Sequence, residues 1–170
     1  MSDSLIIQGN RVVLRSPQNE DFAFLSGLRN DLSLQRQVFL MSKKVCHTAA
    51  QVRAWIHRRT QDSRGVFLVV DAGGPRGFVQ LTRIDRRQGA ADLGICLART
   101  VRGKGVATEA LELLERFARR KLCCKKFKLC VLRINHRAIA FYHKVGFQKV
   151  ELLRRHHFDG KSRRDVLRME

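Results

Sequence analysis

The stretch that decides the fold is the run Arg102-Gly103-Lys104-Gly105-Val106-Ala107-Thr108-Glu109-Ala110. Ahead of it, apolar residues alternate at Leu93, Ile95 and Leu97, and this period of two predicts a strand. Behind it, apolar residues recur at helical spacing and predict a helix with one buried face: Val106, Ala110, Leu113, Leu114, Phe117 and Ala118. A basic turn with two glycines therefore joins a strand to the first turn of a helix.

This turn has the features of a site for a phosphate group. The first N–H groups of a helix have no partner within the helix, and glycine lets the backbone approach a ligand closely. The helix dipole and the side chains of Arg102 and Lys104 favour an anion at the same place. We therefore interpret residues 102–107 as a phosphate cradle.

The charge of the chain is its most extreme property. Lys and Arg number 34 against 15 Asp and Glu, which gives a net charge of +19. Residues 101–150 alone carry +10 of that charge. Such a balance predicts an acidic partner, which could be a nucleic acid, a nucleotide or another polyanion. The alternative is that the charge serves only general solubility.

The cysteines and the apolar residues argue against several classes of protein. The five cysteines are odd in number and form no C-x-x-C pair, so they predict neither a disulfide framework nor a zinc site. No apolar run approaches the length of a membrane span, and residues 1–12 lack the pattern of a signal peptide. We expect a cytoplasmic protein that needs no metal and has no membrane partner.

The first third of the chain predicts one strand and two helices. Residues 5–15 alternate as a strand, with a turn or bulge at Gly9-Asn10. Residues 16–21 open a helix, and Thr48 with Gln51 forms a capping box for a second. The segment between these helices, residues 32–47, reads as a short helix or a mobile substrate loop.

The rest of the chain alternates strands and helices. A three-strand meander, the glycine turn with its helix, and a strand–helix–strand–strand ending give the order β-α-α-β-β-β-α-β-α-β-β. The predicted fold class is α/β (α+β), with a mixed sheet of six to seven strands flanked by about four helices. The predicted strands after the first are 66–71, 77–84, 91–97, 127–133, 147–153 and 164–169, and the last helix is 135–144.

Two motifs in these elements resemble those of a known superfamily. The run L-G-I-C-L…R-G-K-G-V-A-T-E-A-L and the later run V-L-R-I-N-H-R-A-I-A-F-Y-H-K-V-G-F are similar to the GNAT acetyltransferases. The closest likeness is to the branch that contains ribosomal-protein N-terminal acetyltransferases and acetyltransferases of nucleotide-linked amino sugars. The resemblance implies one GNAT-like domain over residues 1–170. Residues 1–65 would form the acceptor side, 66–150 the acetyl-CoA-binding core and 151–170 the C-terminal strands.

The resemblance also implies that acetyl-CoA is the acetyl donor. The pyrophosphate would lie on the N–H groups of the cradle, and the pantetheine arm would pair with a strand edge at residues 94–97. Family members often carry Gln or Arg three residues before the first glycine, where this chain has Thr100. The implied cofactor-binding residues are Ile95, Cys96, Leu97, Arg102, Gly103, Lys104, Gly105, Val106, Ala107, Thr108, Asn135, Phe141 and Lys144.

Acetyl transfer to an amine needs a proton acceptor, an oxyanion donor and a group that assists the departing thiolate. Tyr142, the only tyrosine, could assist the thiolate, and an N–H near residues 95–97 could serve the oxyanion. Asp92 is the candidate base, acting through water. The alternatives are that Tyr142 is an amphipathic core residue and that Asp92 is an exposed aspartate at a strand end.

The acceptor is the least determined part of the prediction. Arg29, Asn30 and His47 are the candidate acceptor-binding residues, with solvation at a helix end as the alternative. The acceptor would be a nucleotide-linked amino sugar or a protein N-terminal amine that carries negative charge or lies near it. The competing functions are a nucleic-acid-binding module and a non-catalytic acetyl-CoA sensor. Nucleic acid is otherwise expected only at a docking surface, and the chain is expected to be a monomer or a homodimer.

Overall fold

The fold is known from a computed structural model that describes residues 5–37, 46–159 and 161–170. Eight strands and five α-helices follow one another along these residues. They are β1 (Ile6–Gln8), β2 (Val13–Arg15), α1 (Phe22–Asn30), α2 (Leu32–Gln37), α3 (Ala49–Thr60), β3 (Val66–Asp71), β4 (Pro75–Asp85), β5 (Ala90–Leu97), α4 (Val106–Lys121), β6 (Lys126–Leu132), α5 (His136–Lys144), β7 (Lys149–Phe158) and β8 (Arg163–Met169).

All eight strands belong to one sheet, in the order β1-β2-β3-β4-β5-β6-β8-β7. Neighbouring strands are antiparallel except β5 and β6, which are parallel. These two pair only from Ala90 to Asp92 on β5, opposite Lys126 to Lys128 on β6. Residues 93–97 of β5 still pair with β4 on their other side. The sheet therefore opens into a wedge between β5 and β6, as the resemblance implied for this strand.

The two faces of the sheet carry separate cores, because side chains alternate along each strand. Leu68 and Val70 face a core that α4 and α5 complete. Their neighbours Phe67 and Val69 face the opposite core, which contains Trp55 of α3. The cradle and α5 thus lie on one face of the sheet, and α1 and α3 cover the other. Side chains from both faces of the sheet can therefore lie next to the wedge between β5 and β6.

An ion-pair network attaches the start of α1 to the sheet. Arg15, at the end of β2, contacts Asp21 at 2.6 Å and Asp71 at 2.9 Å. Burial alone would raise the pKa of Asp21, but the hydrogen bonds and charge of Arg15 and a backbone N–H outweigh it and lower that pKa. A buried carboxylate without its partner destabilises a fold strongly. The network therefore fixes where the acceptor-side helices begin.

The predicted class, α/β (α+β) with a mixed sheet, is confirmed. In the described part of the chain the counts are eight strands instead of six or seven and five α-helices instead of about four. The additional strand arises because the chain turns within the predicted first strand, where the N–H of Gly9 donates to the carbonyl of Val12 at 2.9 Å. That turn divides residues 5–15 into β1 and β2, at the position where a turn or bulge was expected.

The additional helix is α2, in the segment predicted as a short helix or a mobile loop. The Asp31 carboxylate accepts a hydrogen bond from the N–H of Leu34 at 3.0 Å and so caps this helix. Residues 38–45 of the same segment lie outside the described residues. The capping box of α3 is confirmed, because Thr48 and Gln51 each accept a hydrogen bond from the other's backbone N–H.

Candidate active site

A cavity of about 960 Å³ occupies the wedge between β5 and β6. Its volume is at the upper end of the range for ligand pockets. Most residues that the sequence assigned to the cofactor line it: Ile95, Cys96, Leu97, Arg102, Gly103, Gly105, Ala107, Thr108, Asn135, Phe141 and Lys144. Val106 and Lys104 do not: Val106 is buried in the core, and Lys104 is an exposed residue of the turn.

The backbone of the cradle is shaped by two left-handed glycines. Gly103 has a φ of 73° and Gly105 a φ of 77°, and Gly105 is the N-cap residue of α4. No side chain caps α4, whereas Thr48 caps α3 and Asn135 caps α5. The first N–H groups of α4 are therefore available to a ligand. An anion at this position is stabilised by those N–H groups and by the helix dipole.

Three arginines concentrate positive charge at the cradle. Burial and the nearby charges of Arg137 and Arg99 lower the pKa of Arg102. Mutual repulsion of this kind is relieved when an anion binds between the cations. Arg137, in the first turn of α5, lines the cavity but was not among the predicted site residues. Only its place beside Asn135 in the second motif could have pointed to it.

The rim of the wedge is the free edge of β5. Residues 93–97 have a strand partner on the β4 side only, so alternate N–H and C=O groups on the other side face the cavity. A Cβ at Gly94 would lie 2.9 Å from the side-chain nitrogen of Gln80, so the Gln80 side chain would have to shift for a larger residue. These edge groups can pair with an extended, amide-containing ligand and can supply an oxyanion donor.

Gln80 is a second cavity residue that the sequence did not reveal. Its side chain crosses the rim of the wedge, and the carbonyl oxygen is buried without a hydrogen-bond partner among the described residues. A buried amide oxygen without a partner is costly. Because Gln80 lines the cavity, an amine ligand could supply the missing donor. In the sequence Gln80 is one polar residue in an alternating strand, and nothing around it indicates a site residue.

Tyr142 closes one wall of the cavity. It is 9 % exposed, and its ring packs against Phe141 and Phe147 with centroids 5.5 and 5.8 Å apart. Tyr142 lines the cavity, and its role at the departing thiolate stays a prediction. Burial raises the pKa of Tyr142 to about 12, and the neighbouring Cys96 contributes in the same direction.

The other residues of the second motif have mixed roles. The side chain of Asn135 accepts a hydrogen bond from the N–H of Ala138 at 3.2 Å, so this residue caps α5 as well as lining the cavity. Phe141 is half-buried at the wall, and Lys144 is exposed. Together they offer an apolar surface for a ligand arm and a cation farther along α5.

Asp92 lies outside the cavity lining. It stands on β5 at the last position that pairs with β6, and its carboxylate is engaged in an ion pair with Arg83. The lining residues include no aspartate or glutamate. The role of Asp92 as a base therefore stays a prediction, and the structure does not bring its carboxylate to Tyr142.

The three predicted acceptor residues lie together beside the cavity, though none lines it. The side chain of Asn30 donates to the carbonyl of His47 at 3.2 Å and accepts from its N–H at 2.7 Å, which fixes the start of α3. Burial and the charge of Arg29 lower the pKa of His47, so this imidazole is neutral at pH 7. The charge of Arg29 also acts on Cys96, which does line the cavity.

Arg29 belongs to a group of cations on the acceptor side. Its guanidinium lies over the ring of Trp55, 5.1 Å from the centroid. Burial and the charges of Arg59 and Arg58 lower the pKa of Arg29. The carboxylate in this region is that of Asp31, which already caps α2. Three cations, Arg29, Arg58 and Arg59, therefore lie near one another on this side of the cavity.

Within the described ranges, no group of three or more His, Cys, Asp or Glu side chains is arranged to hold a metal ion. Within the same ranges, no helix has the length and apolar character needed to cross a bilayer.

Residues 11–148 match the acetyltransferase (GNAT) domain family. That range includes the cradle, the β5–β6 wedge and Tyr142. Spermidine N(1)-acetyltransferase of Escherichia coli K12 is 27% identical over 159 residues, which cover 93% of this chain and 84% of that protein.

Solved structures share the fold at lower identity. Spermidine N-acetyltransferase from Vibrio cholerae, solved with CoA and spermine, gives a TM-score of 0.84 at 21% identity and covers 95% of each chain. RimL, the ribosomal L7/L12 alpha-N-protein acetyltransferase, gives a TM-score of 0.83 at 16% identity, with coverage of 98% of this chain and 93% of that one. The eight-stranded arrangement is therefore one that acetyltransferases use.

Proposed function

The chain belongs to the GNAT acetyltransferase family, and we propose that it transfers an acetyl group from acetyl-CoA to a primary amine by direct attack in a ternary complex. One observation carries this proposal: an uncapped helix N-terminus with two left-handed glycines and a buried tyrosine line the same cavity. The first two features would hold a phosphate, and the third would assist a departing thiolate.

The chain's own groups fit the shape and charge of the coenzyme. The N–H groups of residues 103–107 and the guanidinium groups of Arg102 and Arg137 would hold the pyrophosphate. The free edge of β5 would hold the amides of the pantetheine arm, and Phe141 would contact its apolar part. When bound, the coenzyme supplies a thioester, which is an activated acyl group.

Tyr142 would stabilise the departing sulfur as a hydrogen-bond donor. Its pKa of about 12 lies well above the value of about 8.5 that is typical of a thiol. Full proton transfer from the phenol to the thiolate would therefore be uphill by about 5 kcal/mol. A hydrogen bond from the phenol to the developing thiolate needs no such transfer, and this bond is the role that we assign to Tyr142.

The attacking amine must lose a proton. The side-chain oxygen of Gln80 would accept a hydrogen bond from the N–H groups of this amine. The unpartnered carbonyl oxygen of Gln80 would orient the neutral amine at the rim of β5. The proton would then leave through water, because no carboxylate lines the cavity. Asp92 would be the final proton acceptor of that water chain. Its carboxylate forms an ion pair with Arg83, so it would act only through water.

The charges on the acceptor side favour an amine that carries an anionic group. The charges of Arg58 and Arg59 act on Arg29 there, and the neutral imidazole of His47 does not offset them. A polyamine with several positive charges would be repelled by these cations. We therefore propose a nucleotide-linked amino sugar or a protein N-terminus beside acidic residues as the acceptor, although relatives of the chain are named for spermidine.

Release of free thiol from acetyl-CoA tests this function directly. The purified full chain is assayed with a nucleoside-diphosphate amino sugar, with a peptide that has an acidic N-terminal segment, and with spermidine. We expect turnover with one of the anionic amines and weaker turnover with spermidine. Faster turnover with spermidine would contradict the proposed acceptor but not the proposed acetyltransferase activity. A protein that binds acetyl-CoA and acetylates none of these amines would be a sensor of the coenzyme.

Two further expectations remain part of the proposal. The cytoplasmic location follows from the need for a supply of acetyl-CoA and is consistent with the five free cysteines. A monomeric or homodimeric state is compatible with a site whose proposed groups all come from one chain. Sedimentation measurements on the purified protein would separate the two states.

A further inference from the structure

A strongly basic surface lies at the end of α4 that is remote from the cradle. α4 has 16 residues and is therefore about 24 Å long. Its first residues form part of the cradle, and its last turn carries arginines and a lysine. We use the name distal basic patch for six exposed residues at this end: Arg86, Arg87, Arg120, Lys121, Lys125 and Lys126.

Backbone hydrogen bonds join the segments that carry the patch. The N–H groups of Lys125 and Lys126 both donate to the carbonyl of Gly89, at 2.7 and 2.9 Å. Gly89 closes the turn between β4 and β5. The N–H of Cys124 donates to the carbonyl of Ala118 in α4 at 3.1 Å. The β4–β5 turn, the α4–β6 connection and the end of α4 therefore form one surface.

The arginines of the patch lie on an ordered turn. One carboxylate oxygen of Asp85 accepts hydrogen bonds from the N–H groups of Arg87 and Gln88, at 2.9 and 3.0 Å. This arrangement fixes the turn and occupies the nearest carboxylate. The backbone that carries Arg86 and Arg87 is thus ordered before any partner binds, which lowers the entropic cost of binding.

The positive charges of the patch are not neutralised by salt bridges within the described residues, although the Asp85 carboxylate lies in the same turn. Across residues 5–37, 46–159 and 161–170, none of its six side chains makes an ion pair. In the same region, Glu115 is paired with Arg119 at 2.7 Å. A purely structural reason, favourable interaction with the dipole at the end of α4, would account for Arg120 and Lys121. It would not account for the four cations on the adjoining turns.

The chemistry of the patch limits its partner. Large apolar side chains that are exposed in the described residues lie elsewhere: Ile6, Leu32, Ile134, Val150 and Phe158. The patch therefore offers no group to insert into a lipid bilayer and no aromatic ring on which a base of a single strand could stack. It offers only cations, which recognise a regular array of phosphates.

We propose that the distal basic patch binds the phosphate backbone of a double-stranded nucleic acid. The interaction is independent of sequence, because phosphate contacts position a protein without reading bases. The patch and the cradle lie at opposite ends of α4, so nucleic acid and coenzyme can be bound at the same time. Nucleic acid would hold the enzyme close to its acceptor and would not compete for the donor cavity.

The test measures the affinity of the full chain for short RNA and DNA duplexes by fluorescence anisotropy at several salt concentrations. The patch variant combines Arg86→Gln, Arg87→Gln and Lys125→Gln. The control variant combines Arg154→Gln, Lys161→Gln and Arg163→Gln, three exposed cations of β7, β8 and their connection. Both variants lose the same charge, and an unchanged melting temperature with acetyl-CoA establishes that both are folded.

We expect the patch variant to bind either duplex at least ~10-fold more weakly at about 0.1 M salt. The slope of log Kd against log salt should fall by about 2.7, which is about 0.9 for each lost phosphate contact. The control variant should bind like the unmodified protein. Equal losses in the two variants would overturn the proposal, because the attraction would then depend on net charge alone. Equally tight, patch-dependent binding to poly-glutamate or to anionic vesicles would also overturn it.

Discussion

The carboxylate of Glu109 lies 2.8 Å from the backbone nitrogen of Arg11, across 98 residues of sequence. The same oxygen accepts hydrogen bonds from the N–H groups of Asn10 and Val12. Glu109 stands in the first turn of α4, so it fastens the turn between β1 and β2 against the cradle. Its carboxylate is directed at that turn and does not cap its own helix, which leaves the first N–H groups of α4 for a ligand.

Replacement of Glu109 by alanine should destabilise the fold. Three N–H groups of the β1–β2 turn would lose a charged acceptor, and we expect the free energy of unfolding to fall by about 1.5–3 kcal/mol. Urea unfolding of the variant measures this loss. Glu112→Ala is the matched control, because Glu112 is exposed on the same helix. Equal stability of the two variants would contradict the role given to Glu109.

A methyl group at Gly103 should block the coenzyme. Gly103 has a φ of 73° with nothing within 4 Å of an added Cβ, so Gly103→Ala strains the backbone but meets no protein atom. Gly73 has a φ of 71° and equally open space, in the turn after β3. Both alanine variants should lose about 1–2 kcal/mol of stability.

Only Gly103→Ala should also weaken the binding of acetyl-CoA, because the pyrophosphate must approach this backbone. Isothermal titration of the two folded variants measures the difference, and at least ~10-fold is expected for the loss of one charge-assisted hydrogen bond. Unchanged affinity in Gly103→Ala would mean that the phosphate lies elsewhere.

Tyr142 can be titrated alone, since it is the only tyrosine of the chain. Burial raises its pKa to about 12, above the ordinary value near 10. The stability that comes from burying the neutral phenol is therefore complete below about pH 10 and is lost as the pH rises through about 12. Ultraviolet absorbance of tyrosinate should show a midpoint near 12 in the native protein and near 10 in denaturant. A native midpoint near 10 would mean that the phenol is exposed.

Loss of the Tyr142 hydroxyl should affect turnover more than binding. Tyr142→Phe keeps the ring against Phe141 and Phe147 but removes the hydrogen bond to the departing thiolate. We expect kcat to fall by about 100-fold or more, with the Kd for acetyl-CoA changed less than threefold, about 0.6 kcal/mol. Steady-state kinetics with calorimetric binding separates the two effects. Full kcat at saturating substrates would exclude this role.

Arg29 should select the acceptor. Arg29→Met keeps an unbranched side chain over Trp55 and removes the charge, so KM for an anionic amine should rise by about 10-fold or more. The Kd for acetyl-CoA should stay the same. Arg116→Met, on the exposed face of α4, serves as the control. A fall in KM for the anionic amine after the loss of Arg29 would show that this charge repels the acceptor.

The sequence predicted the local structure of the cradle well because that structure depends on neighbouring residues. The turn at residues 102–107 is flanked by a strand and a helix with clear apolar periods, and its glycines have the positive φ that the pattern requires. The second motif likewise placed Tyr142 at the cavity wall. Each of these features depends on residues that are neighbours along the chain.

The remaining site residues were missed because they depend on long-range contacts. Gln80 lines the cavity, and its side chain packs closely against Gly94 on the neighbouring strand. Arg137 matters because α5 brings it near Arg102. Asp92 was chosen for its position beside the cradle strand, but the bulge that ends β4 brings Arg83 to its carboxylate. A local sequence pattern does not predict these contacts between distant residues.

The most direct measurement is a crystal structure of the full chain with acetyl-CoA. We predict that the pyrophosphate lies on the N–H groups of residues 103–107, between Arg102 and Arg137. We also predict that the pantetheine arm follows the free edge of β5 and that the thioester sulfur lies within hydrogen-bonding distance of the Tyr142 hydroxyl. Coenzyme bound outside the β5–β6 wedge, or a thioester turned away from Tyr142, would contradict these predictions.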